Sequence, residues 1–204
     1  MALVNDLFTF IKNSPSCFHA AENVQGLLKE QDFIQLSESE KWNLEPGKKY
    51  YASRNGSSVV AFSLPEDCSS KGFRIVASHS DSPSFKIKEN PEIKSAGYVT
   101  LNVEKYGGML INPWFDRPLS FAGRVVIQNG EKLCSRLVNV DRDLLMIPSL
   151  AIHMSRDAND GHKIDVQKEI QPVLSTNQNA TVKSIVAKTA GVEEKDIISA
   201  DLFL

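Results

Sequence analysis

The stretch FRIVASHSDSPSFKIK, residues 73–88, decides which fold the sequence predicts. Its first six residues are mostly apolar and predict a buried β-strand at residues 73–78. His79 and Asp81 follow where this strand would end, and Pro83 stops a simple continuation of the strand ladder. A histidine and a carboxylate at the carboxyl end of a strand are typical of a metal site in an α/β protein.

His79 and Asp81 are separated by one residue, so their side chains point to the same side of an extended backbone. A neutral imidazole is a good zinc ligand, and a nearby carboxylate can hold the other ring nitrogen and fix the tautomer. The alternative interpretation is that both side chains only cap a turn before Pro83. The spacing alone leaves both interpretations open, because short motifs of this kind often occur by chance.

The composition of the 204 residues, with 42% hydrophobic and 24% charged residues, favours a globular, soluble chain. A formal net charge of −2 favours neither nucleic acid nor a membrane surface as a partner. No apolar run approaches the roughly 20 residues of a membrane span, and the first residues resemble a folded helix rather than a signal peptide. Cys17, Cys68 and Cys134 are far apart, which predicts buried or half-buried apolar residues in a reduced, cytoplasmic setting.

Helix and turn signals precede residue 73. Apolar residues at helical spacing predict a first helix that includes Leu3 and Ile11, and Ser16 can cap a second helix. Asn55-Gly56 lies between two strand-like runs and predicts a hairpin with a type I′ turn. Two helices, a hairpin and a buried strand together predict the start of a mixed α/β domain.

Short strand-like runs separated by turns follow residue 88. They cover residues 97–103, 109–111, 119–127 and 132–140. Asn129-Gly130 predicts a hairpin, Thr181 can cap a helix that ends near Gly191, and residues 196–204 form a last predicted strand. The pattern predicts three segments. Residues 1–88 are predicted as the first part of an α/β domain, residues 89–171 as an inserted β-rich module, and residues 172–204 as a return to the first domain.

Three further polar residues have weak signals. Asp116 can form a local ion pair with its neighbour Arg117. His153 follows an apolar stretch, where a lone histidine is usually structural, and His162 lies in a polar loop that suggests no role. The sequence has no G-x-S-x-G elbow, P-loop or G-x-G-x-x-G motif, so it does not favour a serine hydrolase or a nucleotide-binding protein.

Five segments occur in an order that resembles the aspartyl aminopeptidase family of zinc metallopeptidases. They are SPSCFHAAENVQGLL, EKWNLEPGKKYYASRNGSSVVAF, ASHSDSPSFKIK, VEKYGGMLINPWFDRPLSFAGRV and IPSLAIHM. The resemblance covers residues 6–204 and implies the α/β fold class, as the N-terminal part of a zinc-peptidase-like catalytic domain interrupted by a β-rich dimerisation domain. It also implies homo-oligomers, often dodecamers, and two zinc ions that serve to remove N-terminal residues, preferably acidic ones, from peptide substrates.

The resemblance implies roles for three residues. His79 matches the family's first zinc ligand, and Asp81 matches the aspartate that orients this histidine. His153 matches a histidine that reaches from the dimerisation domain into a neighbouring subunit's active site, where it steadies the substrate or the transition state. The family's other metal ligands and its general base lie beyond the position that matches Leu204, so we expect this chain alone to lack a complete active site.

Two hypotheses follow from the resemblance and the residues together. The first is the N-terminal part of a zinc aminopeptidase whose catalytic site needs a missing C-terminal half. The second is a non-catalytic module that self-associates through residues 89–171. Such a module is expected to expose an apolar patch where the rest of the catalytic sheet would pack, near Ile75, Val76 and residues 202–204.

Overall fold

Three α-helices and nine β-strands occur in residues 2–67 and 72–204, the part of the chain that the computed structural model describes. The elements form two units, Met1–Ser82 and Pro83–Leu204. The mixed α/β class is therefore confirmed. Cys17 and Cys134 are half-buried as predicted, whereas Cys68 lies outside the described residues. No helix in the described ranges has the length and apolar character that crossing a bilayer requires.

The first unit joins two helices to a three-stranded sheet. Its elements are α1 Ala2–Asn13, α2 Cys17–Glu30, β1 Ile34–Leu36, β2 Lys49–Arg54 and β3 Ser58–Ser63. Ser16 caps α2 as predicted, because its hydroxyl accepts the backbone N–H of His19. The sheet order is β1-β2-β3, with β1 parallel and β3 antiparallel to β2. Asn55 and Gly56 have φ angles of 54° and 64°, which confirms the predicted type I′ turn.

Residues 73–78 do not form the predicted buried strand. They carry no regular secondary structure, and Phe73, Ile75 and Val76 are 90%, 82% and 99% exposed. Apolar and β-branched residues form a strand only where neighbouring strands supply ladder hydrogen bonds and a packed surface. Neither sheet formed by residues 2–67 and 72–204 includes this segment, so the prediction of a buried strand is wrong for this structure.

The second unit is built around a six-stranded sheet. Its elements are β4 Ser84–Ser95, β5 Tyr98–Tyr106, β6 Ala122–Asn129, β7 Lys132–Asn139, β8 Val173–Ser175, α3 Val182–Ala190 and β9 Ile197–Phe203. The sheet order is β7-β6-β9-β4-β5-β8, so the last strand of the chain lies in the middle of the sheet. The fully buried core side chains include Phe85, Leu101, Phe121 and Ile147.

Turn and cap signals in the second unit agree with the sequence. Strands β6 and β7 form the predicted hairpin, but its two-residue loop is Gly130-Glu131 rather than Asn129-Gly130, because Asn129 already pairs with Lys132. The Thr181 side chain accepts the backbone N–H of Ser184 at the start of α3, and Gly191 ends this helix in the left-handed conformation with a φ of 66°. Because each signal acts within a few residues, the sequence alone was sufficient to predict it.

Three details of the second unit differ from the predictions. Residues 109–111 are not a strand, because they lead directly into the 3₁₀ turn Asn112–Trp114. Strand β4 extends well past residue 88 through Pro91, which lies in an irregular part of its pairing with β5. Leu202 is only 2% exposed rather than part of an apolar patch, because β9 pairs with β6 and β4 inside the sheet.

The boundary between the two units differs from the boundaries of the three predicted segments. The division lies between Ser82 and Pro83 rather than after residue 88, and residues 172–204 belong to the second unit through β8, α3 and β9. As a division into functional domains, the segments 1–88, 89–171 and 172–204 stay a prediction.

Candidate functional site

His79 and Asp81 lie together in the irregular segment that follows residue 78. The His79 Nδ1 atom is 3.0 Å from the Asp81 Oδ1 atom. The residue between them, Ser80, donates its hydroxyl to the carbonyl oxygen of Ser57 at 2.9 Å. This hydrogen bond connects the centre of the His79–Asp81 motif to the end of the β2–β3 turn, although the motif is not part of a strand.

The contact with Asp81 determines which His79 nitrogen is available. A carboxylate only accepts hydrogen bonds, so in the neutral ring Nδ1 carries the proton and Nε2 keeps its lone pair. The His79 side chain is 92% exposed, whereas the Asp81 side chain is 33% exposed. An accessible imidazole held by a carboxylate is the usual arrangement of a metal-ligating histidine, and metal binding by His79 stays a prediction.

The described residues fit one ligand position of a zinc site rather than a complete site. Within residues 2–67 and 72–204, no group of three or more His, Cys, Asp or Glu side chains could hold a metal ion. A catalytic zinc usually has three protein ligands and a water molecule.

His153 lies in the second unit, whereas His79 and Asp81 belong to the first. The backbone N–H groups of Met154 and Ser155 both donate to the carbonyl oxygen of Ala151, at 2.8 and 3.2 Å, so His153 lies within a tight turn. The apolar side chains around it are exposed, namely Leu150, Ile152 and Met154. The turn presents an accessible imidazole in an apolar setting.

Asp116 holds the start of the His153 segment, a contact that the sequence did not predict. Its Oδ1 accepts the backbone N–H of Ser149 at 2.9 Å, and its Oδ2 accepts the Ser149 hydroxyl at 2.5 Å. These two hydrogen bonds stabilise the charged form and lower the pKa of Asp116. Arg117, the predicted ion-pair partner of Asp116, donates instead to the carbonyl oxygen of Pro113.

His162, for which the sequence suggested no role, lies in the same loop and contacts two carboxylates. Its Nδ1 is 3.0 Å from Asp157 Oδ2, and its Nε2 is 2.8 Å from Glu169 Oε2. The hydrogen bonds with Asp157 and then Glu169 raise the pKa of His162. Both ring nitrogens have acidic partners, so the protonated imidazolium is the form that satisfies this arrangement.

The loop between Ser149 and His162 borders a cavity of about 580 Å³. Ser149, Leu150, Ser155 and His162 line this cavity. Every residue from 148 to 162 is exposed except Ser155 and His162, which are half-buried. The loop therefore buries little apolar surface, and polar contacts have a large share in fixing its position.

Sequence comparison relates the chain to aminopeptidases. The family described as "Aminopeptidase I zinc metalloprotease (M18)" matches residues 10–204. The chain is 42% identical over 210 residues to "Probable M18 family aminopeptidase 2" of Clostridium novyi, a match that covers 98% of this chain and 48% of that protein. It is 36% identical over 203 residues to "Probable aspartyl aminopeptidase" of Ricinus communis, with coverages of 96% and 41%. The chain spans about half the length of the curated relatives it matches.

Solved structures show the same fold. The chain is similar, with a TM-score of 0.91 and 31% identity, to a chain in "Cryo-EM structure of the Ape4 and Nbr1 complex", covering 97% of this chain and 42% of that one. It is also similar, with a TM-score of 0.79 and 26% identity, to a chain in "Structure of S. cerevesiae mApe1 dodecamer", with coverages of 98% and 47%. The resemblance noted in the sequence is confirmed, and the chain belongs to the M18 family of aminopeptidase I zinc metalloproteases.

Proposed function

We propose that these 204 residues form the N-terminal part of a zinc-dependent aminopeptidase, a hydrolase that removes N-terminal residues from peptides. The proposal is supported by the family match over residues 10–204 and by the relatives, of which the chain covers about half. The proposed preference is for N-terminal Asp or Glu, and the name of the Ricinus communis relative, "Probable aspartyl aminopeptidase", supports Asp. The 204 residues alone are inactive in this proposal, because the described residues fit only one ligand position.

His79 is the proposed metal ligand, and Asp81 is the residue that orients it. The 3.0 Å contact between Nδ1 and the carboxylate carries this assignment, because it leaves Nε2 as the free lone pair of the neutral ring. In a two-zinc site the metal polarises the substrate carbonyl and lowers the pKa of bound water to about 7. Asp81 keeps the ring in one tautomer and one orientation, so that His79 is prepared as a ligand before metal binds.

His153 is proposed to act in a neighbouring subunit's active site within a homo-oligomer that assembles through residues 89–171. The exposure of the apolar residues Leu150, Ile152 and Met154 supports an interface at this segment, since oligomers usually cover such side chains. The similarity to the mApe1 chain, which was solved as a dodecamer, supports a homo-oligomer but not a particular interface. In this role the imidazole steadies the substrate or the transition state through a hydrogen bond.

The proposed division of work follows the three predicted segments. Segments 1–88 and 172–204 contribute to the catalytic domain, and segment 89–171 is the dimerisation domain. A reduced, cytoplasmic setting is proposed because the three cysteines of the sequence are odd in number and far apart. The alternative function is a non-catalytic self-association module, and the exposed apolar residues around His153 support that alternative as well.

A chimera tests the proposed metal ligand. These 204 residues replace the matching part of the Clostridium novyi relative, and the product is assayed for zinc content and for hydrolysis of aspartyl and glutamyl anilides. Asp81→Asn is expected to weaken zinc affinity about 10- to 100-fold, as the loss of an orienting partner does in other metal sites. His79→Ala is expected to weaken zinc affinity further, because it removes the ligand itself.

His19→Ala is the matched control, because His19 lies in α2 and contacts Ser16 rather than the motif. Equal zinc content in the His79→Ala and His19→Ala chimeras would exclude His79 as a ligand. The isolated 204-residue chain supplies a second measurement. Tight binding of two zinc ions together with hydrolysis by this chain would refute the proposed incompleteness, whereas a stable dimer without zinc would favour the self-association module.

A further inference from the structure

We infer that Asp116 is a positioning residue for His153, which it places by holding Ser149 at the start of the His153 segment. The inference rests on the proposed function, in which His153 acts in a neighbouring subunit's active site. It adds a residue from the β5–β6 connection to the groups that determine where this imidazole is presented.

Asp116 joins a buried part of the core to an exposed segment. Its own backbone N–H donates to the carbonyl oxygen of Ile147 at 2.9 Å, and Ile147 is fully buried. Its carboxylate accepts two hydrogen bonds from Ser149, one from the backbone N–H and one from the hydroxyl. The two ends of the Ile147–Ser149 tripeptide are therefore attached to the same residue, and the direction in which the chain leaves Ser149 is defined.

The segment after Ser149 has few other means of holding a position. Residues 149–154 are all exposed, and the loop borders a cavity instead of packing on the core. The hydrogen bonds that Met154 and Ser155 donate stay within the segment, since both end on Ala151. These bonds shape the turn around His153, but they do not attach it to the core. The Asp116–Ser149 contact supplies that attachment four residues before the imidazole.

The backbone at Asp116 restricts which residues can occupy this position. Its φ angle is 55°, in the left-handed region that Asp, Asn and Gly tolerate better than other residues. Aspartate combines this tolerance with two acceptor oxygens. Asparagine keeps the tolerance and one acceptor, and glycine keeps the tolerance alone. The series Asp116, Asp116→Asn and Asp116→Gly therefore removes the acceptors stepwise without adding backbone strain.

Nuclear magnetic resonance on the complete 204-residue chain tests the positioning without any need for activity. Asp116→Gly is expected to lower the backbone order parameters of residues 150–155 below about 0.6, the range of flexible segments. Asp116→Asn is expected to give intermediate values. Asp32→Gly is the matched control, because Asp32 also has a positive φ, of 61°, but lies in the first unit. Unchanged order parameters in Asp116→Gly would overturn the inference.

A double-mutant cycle in the active chimera tests whether Asp116 acts through His153. Asp116→Gly is expected to lower kcat about 10- to 100-fold, the effect of a displacement of about 1 Å in a catalytic group. In a His153→Ala background the same substitution is expected to change kcat by less than about twofold. An equal reduction in both backgrounds would show that Asp116 only supports folding, and it would overturn the inference.

The two experiments separate the failure of the inference from the failure of the proposed function. If His153→Ala leaves kcat unchanged while Asp116→Gly loosens residues 150–155, the proposed role of His153 fails and the mechanical link to Asp116 stands. If His153→Ala lowers kcat and Asp116→Gly loosens nothing, the proposed function stands and the inference is overturned.

Discussion

Replacement of Gly123 by alanine is expected to destabilise the six-stranded sheet by about 3 kcal/mol. Gly123 lies on β6 opposite Leu202 of β9. An alanine Cβ at this position would lie 1.9 Å from the carbonyl oxygen and 2.9 Å from the carbonyl carbon of Asp201. Real Cβ contacts are essentially never shorter than 3.0 Å, and these atoms belong to the backbone, so β9 would have to move by about 1.1 Å.

The magnitude follows from what this displacement disturbs. It stretches the ladder hydrogen bonds of β9 with β6, and each lost bond has a net contribution of about 1 kcal/mol. It also moves Leu202, which is 2% exposed, and overpacking in a core typically costs about 1–3 kcal/mol. A loss of about 3 kcal/mol in a unit of about 120 residues lowers the Tm by about 10 °C.

Tryptophan fluorescence can follow the two units separately, because each contains one tryptophan. Trp114 in the second unit packs against Phe85 with a distance of 5.0 Å between ring centroids. Trp42 in the first unit stacks on Phe62 with a centroid distance of 6.3 Å. Urea unfolding of Gly123→Ala in a Trp42→Phe background therefore reports the free energy of unfolding of the second unit.

Gly26→Ala is the control substitution for the first unit. Gly26 lies inside α2, and a Cβ there would have no neighbour within 4 Å. This change is expected to stabilise the first unit by roughly 0.5–1 kcal/mol, because alanine loses less conformational entropy in a helix. A Trp114→Phe background reports that gain. If Gly123→Ala unfolds within about 0.5 kcal/mol of the unsubstituted chain, the close approach of β9 to Gly123 is refuted.

Two further predictions concern side-chain contacts in the second unit. Glu92 accepts the backbone N–H of Val182 at 2.7 Å at the start of α3. Glu92→Ala is therefore expected to lower the free energy of unfolding in urea by about 1 kcal/mol, and Glu92→Gln is expected to lower it clearly less. Equal losses in the two variants would contradict a capping role for Glu92. The pKa of His162 is raised above 6.5, and the pKa values of Asp157 and Glu169 are lowered. The contribution of these contacts to stability is complete below about pH 6.5, where His162 is charged, and it is lost as pH rises through the raised pKa of His162. It is also lost in acid, where the two carboxylates become protonated. Hydrogen exchange of residues 157–169 is expected to accelerate as pH rises above about 6.5, beyond its intrinsic pH dependence, and an unchanged pH dependence in His162→Gln would contradict this assignment.

Local chemistry explains which parts of the fold the sequence could predict. The hairpin turn needs two residues that tolerate positive φ, and Asn55 and Gly56 are both of this type, so the sequence alone predicts the turn. Helix α3 begins at the Thr181 cap and ends at Gly191 for reasons that act within one turn. The family was identified from the resemblance of five segments in a fixed order, because no single local signal is sufficient to identify it.

Non-local pairing explains the main error in the predicted fold. Residues 73–78 have the composition of a buried strand, but composition does not specify a neighbouring strand. The same limit applies to the last strand, where an apolar terminal segment gave no sign that β9 would insert between β6 and β4. Leu202 was therefore expected on an exposed patch and is instead part of the core.

The supporting contacts of the candidate site are also non-local. Asp116 and Ser149 are 33 residues apart, and a contact elsewhere in the second unit, between Glu92 and Val182, joins residues 90 apart. No spacing rule connects residues at such separations. Arg117 was the predicted partner of Asp116 because the two residues are adjacent in the sequence. In the structure Asp116 has a positive φ, and its carboxylate contacts Ser149 instead.

The His79–Asp81 pair shows how far a local motif can define the proposed metal site. One intervening residue is enough to bring the imidazole and the carboxylate to 3.0 Å, so the orienting contact depends on nothing distant. A zinc ion also needs two more protein ligands at fixed distances, and within residues 2–67 and 72–204 no group of three ligating side chains forms around this ring. Affinity gained from one exposed ligand is small, because the ion keeps most of its water. If His79 binds zinc as proposed, tight binding would depend on the residues that complete the shell, and the motif at residues 79–81 would fix the position of one ligand only.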